Sequence, residues 1–278
     1  MKISDQNKQT TDKYIEILQN RRYSRNTIKN YKTALKAINK HLADKKLHQD
    51  IIRNDIISFL DTQNNYADTT FNARLSALRT FYNYLQDIGE IDRQPITIQM
   101  FKRLEWKEPK ALSETEKERF IELNEKNGRS MQALGVRLML ATGIRLSELA
   151  NLDVKNDIEI RNNKAFVHIR KSKNKFPRIV PVFSNSLTQE LIALKKLYFD
   201  IKAYPLPIQR YSYQYITNKY EKMYGYRITT HQLRYTFATE RFEEGLDLNT
   251  IRLLMGHRTI TMTLQYIANR IDIYNLIA

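Results

Sequence analysis

The sequence predicts a mainly α-helical chain with one small β-sheet, arranged as a helical N-terminal domain followed by an α+β domain. Three observations carry this prediction. Apolar residues recur with the period of a helix over residues 25–42 and 67–86. Residues 158–182 alternate with the period of a strand. Between these regimes, residues 89–112 lose helical periodicity and hold Pro95, Pro109 and the only tryptophan, Trp106. The expected organisation is a helical domain over 1–92, a linker over 93–112 and a second domain over 113–278. A chain of 278 residues, 42% of them hydrophobic, is long and apolar enough for two modest cores.

In chain order, a short helix is expected over about 9–20. Ser24 suits the N-cap of the next helix, 25–42. Ile28, Tyr31, Leu35, Ile38 and Leu42 form its apolar stripe. Lys29, Lys32, Lys36 and Lys40 follow the same rhythm one or two positions on and form a basic flank. Such a row suits an ordinary solvated face, and on a basic chain it also suits contact with a polyanion. Helices over about 50–61 and 67–86 complete a four-helix domain. Phe71, Leu75, Leu78, Tyr82 and Leu85 face its core, with Arg74 and Arg79 off the stripe.

After the linker, Ser113 and Glu116 give a capping-box pattern. An apolar helix over about 131–141 ends at Gly143, and Ser147 is expected to cap the helix that follows Arg145. Asn162, Asn163 and Lys164 suit a tight turn between two strands. A second basic turn, Lys171 to Lys175, leads to a strand over Arg178–Val182. Helices then resume, with Thr230 as an N-cap and Gly245 and Gly256 as stops.

The net charge is +16, with a pI near 9.8, which suits nucleic acid or an anionic membrane surface. The charge is spread: residues 1–100 carry 16 basic against 11 acidic side chains, and the remaining 178 carry 30 against 19. Cysteine is absent, which excludes disulfides and thiolate metal sites. The opening residues are polar, and no apolar run approaches the ~20 residues that span a bilayer. A cytoplasmic protein without a membrane partner is expected.

Chemistry concentrates in Thr230–Ala268. A cap at Thr230 puts His231 and Arg234 in the first turn of a helix, three residues apart on one face, where the helix N-terminus favours anions. By itself this pattern also fits a surface histidine and a core arginine. His257 follows the stop at Gly256, and Tyr266 lies nine residues on, within a helix of about 260–268. Among 17 tyrosines, Tyr224, Tyr235 and Tyr274 are rivals by composition. Arg145 stands after Gly143, with Glu148 close enough to orient its guanidinium. The five histidines form no metal-ligand spacing, and neither a phosphate-binding G-x-x-x-x-G-K-[ST] loop nor a G-x-S-x-G elbow occurs. No metal and no cofactor is therefore expected.

Taken in order, TGIRLSELANL, then K-x-x-x-x-R-x-V-P, then H-x-L-R-Y-T-F-A-T, L-L-M-G-H-R and Tyr266 resemble the tyrosine recombinases, the Xer-type and phage-integrase-type members above all. SRNTIKNYKTALKAINKHL is similar to the N-terminal SAM-like core-binding domain of that family, so the resemblance covers nearly the whole chain. It implies a tyrosine-recombinase catalytic domain in the second half. Arg145 and Arg234 would clamp the nonbridging oxygens of the scissile phosphate. Lys173, with Lys171 as the alternative, would be the hairpin lysine that protonates the leaving 5′-hydroxyl. His231 would act as base, His257 would hold the phosphate, and Tyr266 would be the nucleophile of a 3′-phosphotyrosine intermediate.

Tyr235 departs from the family pattern, in which many relatives carry a second histidine in H-x-L-R-H. The resemblance also implies a double-stranded DNA site with inverted repeats, gripped between the two domains and bound by a tetramer on two sites. Strand exchange would run through a Holliday junction without metal or ATP, with accessory proteins as possible partners. Lys29, Lys32, Lys36, Lys40, Arg74, Arg79, Lys171 and Lys175 are the candidate DNA contacts. DNA relaxation of the type IB topoisomerase kind and non-catalytic DNA binding are the competing functions.

Overall fold

The computed structural model describes residues 2–42, 45–47, 51–105, 110–127, 129–170, 177–197 and 210–267, the side chains at 4, 210–212 and 265–267 excepted. It divides into two compact units, Met1–Lys107 and Glu108–Ala278.

The first unit is built from α1 (Ile3–Asn20), α2 (Arg25–His41), α3 (Arg53–Asp61) and α4 (Asp68–Asp87). Ser24 caps α2, its hydroxyl accepting from the Thr27 amide at 3.1 Å. The five apolar stripe residues of α4 are all buried, as are Leu35, Ile38 and Leu42 of α2, with Ile28 and Tyr31 at the rim. α1 starts at Ile3 rather than near residue 9. Its extra turns are held by a polar side chain, which apolar periodicity does not register. Asn7 is buried, donates to the Lys45 carbonyl at 2.8 Å and accepts from the Leu47 amide at 3.0 Å. Similarly, α3 starts at Arg53 rather than 50, where Asp55 turns back to accept from the Ile52 amide at 2.9 Å. Beyond α4 the chain lies along that helix: Ile96 is buried, and Asn72 exchanges two hydrogen bonds with the Lys102 backbone at 2.8 and 2.9 Å.

The second unit contains α5 (Glu114–Lys126), α6 (Ser130–Thr142), the single turns α7 (Leu146–Leu149) and α8 (Val154–Asp157), strands β1 (Ile158–Arg161), β2 (Lys164–Ile169) and β3 (Arg178–Pro181), then α9 (Asn185–Leu197), α10 (Arg210–Tyr224), α11 (Thr230–Glu243), α12 (Leu248–Met255) and α13 (Ile260–Ile267). The strands form one antiparallel sheet in the order β1-β2-β3. Arg161 pairs with Lys164, so Asn162 and Asn163 make a two-residue turn with φ of 49° and 55°. Asparagine tolerates that left-handed backbone better than most residues. On β2, Ala165, Val167 and Ile169 point into the core. β3 ends at Pro181, one residue short of the expected Val182. α6 is buried over most of its surface and packs against α5 and α11, making it the hub of this unit.

Ile38 is fully buried where α2 meets the core of the first unit. Ile38→Ala should lower unfolding stability by about 2–5 kcal/mol in urea melts followed by circular dichroism. A loss within experimental error would contradict the packing described.

Candidate active site

The cationic centre of the second unit is assembled from two kinds of helix end. α6 and α12 both stop at a glycine in the left-handed conformation, Gly143 (φ 60°) and Gly256 (φ 64°). Such stops leave the last carbonyls of a helix without intrahelical partners, at the negative end of its dipole. Arginines take these carbonyls. Arg234 donates to Gly143 O, and to Met255 O at 2.9 Å. Arg178 donates to Leu254 O at 2.7 Å, and Arg145 to Gly256 O at 3.3 Å. A side chain at position 143 would run into the Phe237 ring, and one at 256 would meet the Arg178 guanidinium at 2.9 Å. Both turns therefore need glycine for space as well as for φ.

Glu148 joins two of the three arginines. Its carboxylate accepts from the Arg145 amide and from Arg145 Nη1, both at 2.9 Å. On its other side it accepts from Arg178 Nη1 and Nη2, at 3.1 and 2.8 Å. Burial by itself would raise the Glu148 carboxyl. The hydrogen bonds and charge of Arg178, with the amide and charge of Arg145, outweigh burial and hold it below the ordinary carboxylate range. Three guanidiniums against one carboxylate leave a formal surplus of two positive charges.

α11 supplies the other edge. Its N-cap is Thr229, not Thr230. Thr229 accepts from the Gln232 amide at 3.1 Å, and Gln232 accepts from the Thr229 amide at 3.3 Å. This closes a capping box that Thr230 cannot form, because Leu233 lies three residues after it. His231 is nevertheless in the first turn, exposed, one turn from the buried Arg234. The helix after Arg145 likewise starts earlier than expected. Arg145 itself takes the N-cap position, with its amide bonded to Glu148, and Ser147 lies inside the turn.

Arg145, Thr230, His231 and Arg234 line one cleft of about 490 Å³, together with Leu146, Ser147, Ala150 and Asn151. His257 follows Gly256 and is 4% exposed. Arg234 Nη2 lies 3.3 Å from His257 Nε2, and His257 Nδ1 lies 3.0 Å from Thr263 Oγ1 on α13. Burial, then the charges of Arg234, Arg145 and Arg178, push the imidazole down from 6.5 to about 3, with Glu148 opposing them. His257 is therefore neutral at ordinary pH. An open, dry-backed cleft with surplus fixed positive charge is suited to an anion whose charge spreads over several oxygens.

The structure thus brings Arg145, His231, Arg234 and His257 together. Position 266 falls within α13, which starts three residues after His257 and packs on α11 and α12. The Tyr266 side chain and the residues Lys171, Lys173, Lys175 and Tyr274 lie outside the described part. Arg178 and Thr263 were not anticipated from the sequence. The first is visible only as the arginine of the R-x-V-P segment, and the second carries no signal that sets it apart from other threonines. Among the described residues, no group of three or more His, Asp or Glu side chains is placed to hold a metal ion.

In the first unit, Lys29, Lys32, Lys36 and Lys40 are exposed along α2. The first three share a shallow groove with Arg25, Ile28 and Thr33. Arg74 is half-buried, stacked 3.8 Å over the Tyr66 ring and bonded to the Gln63 side chain. Arg79 is also half-buried.

The chain matches the model of the phage integrase family over residues 104–271, and that of the phage integrase N-terminal SAM-like domain over residues 11–89. It is 32% identical over 225 residues to a tyrosine recombinase of Pseudothermotoga lettingae, covering 77% of this chain and 75% of that protein. It is 27% identical over 272 residues to tyrosine recombinase XerC of Roseiflexus castenholzii, covering 88% and 84%. In fold it is similar to the Tn1549 transposon integrase in complex with transposon right end DNA, with a TM-score of 0.73 and 17% identity over the whole of both chains.

The folded chain refuses a proton at His257 that the unfolded chain accepts near pH 6.5. Its contribution to stability is complete above pH 6.5 and is lost as pH falls from 6.5 toward about 3. His257→Gln removes this proton, so its Tm should decline less steeply than that of the parent over the same window. Parallel Tm-against-pH curves would show that His257 does not titrate as described.

Proposed function

The chain belongs to the phage integrase family as a tyrosine recombinase, a DNA strand-transferring enzyme, and we propose which of its residues perform site-specific recombination. The observation that carries the assignment is the shared cleft of Arg145, His231 and Arg234, backed by the buried His257 and followed at once by the helix bearing position 266.

The scissile phosphodiester enters the cleft as an anion. Arg145 and Arg234 bind its two nonbridging oxygens and stabilise the charge that builds on them during transfer. His257 adds a neutral N–H donor. The Tyr266 hydroxyl attacks phosphorus in line with the departing 5′-oxygen. Its ordinary pKa near 10 requires a base, and His231, exposed at the mouth of the cleft, takes that proton. The P–O5′ bond breaks, Lys173 gives a proton to the leaving oxygen, and the 3′-phosphate stays covalently on Tyr266. Attack by the 5′-hydroxyl of a partner strand reverses each step. The phosphotyrosine keeps the bond energy, so religation needs no ATP.

We assign the grip on duplex DNA largely to the exposed lysines of α2, and the working assembly to four copies on two inverted-repeat sites. A cytoplasmic location follows from that partner. No helix among the described residues is long and apolar enough to cross a membrane.

The test is a half-site enriched by the protein from a randomised duplex library, then nicked so that the cleaved end diffuses away. The parent chain should form a denaturant-resistant protein–DNA adduct and Tyr266→Phe none. An adduct that survives Tyr266→Phe but not Tyr274→Phe would reassign the nucleophile. Arg145→Ala should abolish the adduct while most DNA binding persists, since many other cations hold the backbone. On the same duplex, replacing Lys29, Lys32, Lys36 and Lys40 by alanine should flatten the plot of log affinity against log salt by about 0.9 for each phosphate no longer neutralised. An unchanged slope would remove α2 from the interface.

A further inference from the structure

To hold a phosphate oxygen His257 must donate, yet its neighbours keep it in the opposite state. Among the described residues, the group facing Nε2 is Arg234 Nη2, 3.3 Å away. A guanidinium only donates, so Nε2 must present its lone pair. With the ring neutral, its single proton then sits on Nδ1 and is donated to Thr263 Oγ1 at 3.0 Å. A phosphate oxygen arriving at Nε2 would meet a lone pair and be repelled. For His257 to bind it, the proton must move to Nε2, and Nδ1 must then receive a hydrogen bond.

Thr263 can serve both states. Its hydroxyl accepts from Nδ1–H in one and, after rotation about Cβ–Oγ1, donates to the bare Nδ1 in the other. A carboxylate or a carbonyl in that place could only accept and would lock the proton on Nδ1. Thr263 is fully buried, so water does not replace it. It also lies on α13, three residues before Tyr266, so the bond that sets the imidazole ties the nucleophile's helix to the floor of the cleft. Among the described residues, the charged groups acting on the ring are Arg234 of α11, Arg145 and Glu148 at α7, and Arg178 of β3.

We propose that Thr263 is a positioning residue of the recombination reaction, whose hydroxyl lets His257 change tautomer from Nδ1–H to Nε2–H when the scissile phosphate binds. The proton count of the ring is unchanged. Nε2 takes up one proton from water in the open cleft, the Nδ1 proton returns to water during a transient opening of the pocket, and the buried threonine hydroxyl rotates until its hydrogen points at Nδ1. This rests on the role given to His257 above.

Two measurements test it. In the ¹⁵N-histidine-labelled full chain, long-range ¹H–¹⁵N spectra should show His257 as Nδ1–H when free. They should show it as Nε2–H once the selected half-site is bound, using Tyr266→Phe to prevent cleavage. An Nε2–H ring in the free protein, or an Nδ1–H ring in the complex, overturns the proposal. In the adduct assay, Thr263→Val should slow cleavage on the order of 10- to 100-fold with DNA binding retained, and Thr263→Ser should restore most of the rate. A double-mutant cycle separates positioning from mere packing. In a His257→Gln background, Thr263→Val should add nothing if it acts through the ring, whereas additive losses mean a structural role and refute the proposal. If His257→Gln alone cleaves like the parent, the catalytic assignment of His257 fails first. If it is impaired while Thr263→Val is not, only the present inference fails.

Discussion

The carboxylate of Glu148, only 1% exposed, accepts hydrogen bonds from Arg145 and Arg178 at once, and on it the arrangement of the whole cleft depends. Two guanidiniums this close repel each other, and burial would weaken both. One ionised acid between them cancels enough charge to hold them, yet leaves the centre with a positive surplus. The bidentate grip of Arg178 also fixes the acid's plane, and so the direction in which Arg145 points. Breaking such a pair by removing one partner leaves a buried charge without compensation, which is far worse than never having had the pair. The site is therefore held together by the one residue in it whose charge has the wrong sign for its ligand.

The arginines need a second anchor, because ion pairing alone does not set a guanidinium's position. The ends of α6 and α12 provide it. Each helix stops at a left-handed glycine, so its last carbonyls face inward rather than continuing the helical ladder. Arg145, Arg178 and Arg234 donate to these carbonyls, and Arg145 and Arg234 also line the cleft. The same geometry explains why the histidine after Gly256 is so strongly biased to neutrality. It stands among three cations in a place that water barely reaches. Fixed charge is thus present before any ligand arrives, and little rearrangement is left for the reacting state.

How legible all this was in the sequence depends on the length of the signal. The stripes of α2 and α4 were plain because five apolar residues in each obey one period, and the Asn162–Asn163 turn was plain because that pair suits only a few backbones. α1 extends beyond its apolar signal because Asn7, a buried amide, breaks the apolar pattern while filling a core position. The cap of α11 falls one residue before the expected Thr230 because Gln232 lies three residues after Thr229 and closes the capping box there. Ser147 looked like a cap by residue type, but Glu148 turns back to the Arg145 amide and the turn opens there. Arg178 and Thr263 are hidden in the sequence for a different reason. Glu148 lies 30 residues from Arg178, and His257, only six residues from Thr263, is met across the corner between two helices, so no helical or strand period marks either partner.

The two sets of cations differ in how they are held, and the difference fits their tasks. The lysines of α2 are exposed ammonium groups on long flexible stems, which can follow a phosphate backbone without fixing one register. In the DNA grip proposed for them, each contributes a small, salt-sensitive share of affinity, and none needs a defined position. Arg234 is 2% exposed and the Arg178 side chain 9%, and the guanidinium of each is bonded to a backbone carbonyl at the end of a helix other than its own element. Such groups cannot search for a ligand, and they lose almost no freedom when one is placed against them. A basic total of +16 describes both sets equally, which is why composition points to a polyanion but not to chemistry. On the roles proposed above, the chemistry falls to the few cations whose hydration has already been replaced by carbonyls and a buried acid, because such groups favour a reacting phosphate over the many others along a duplex.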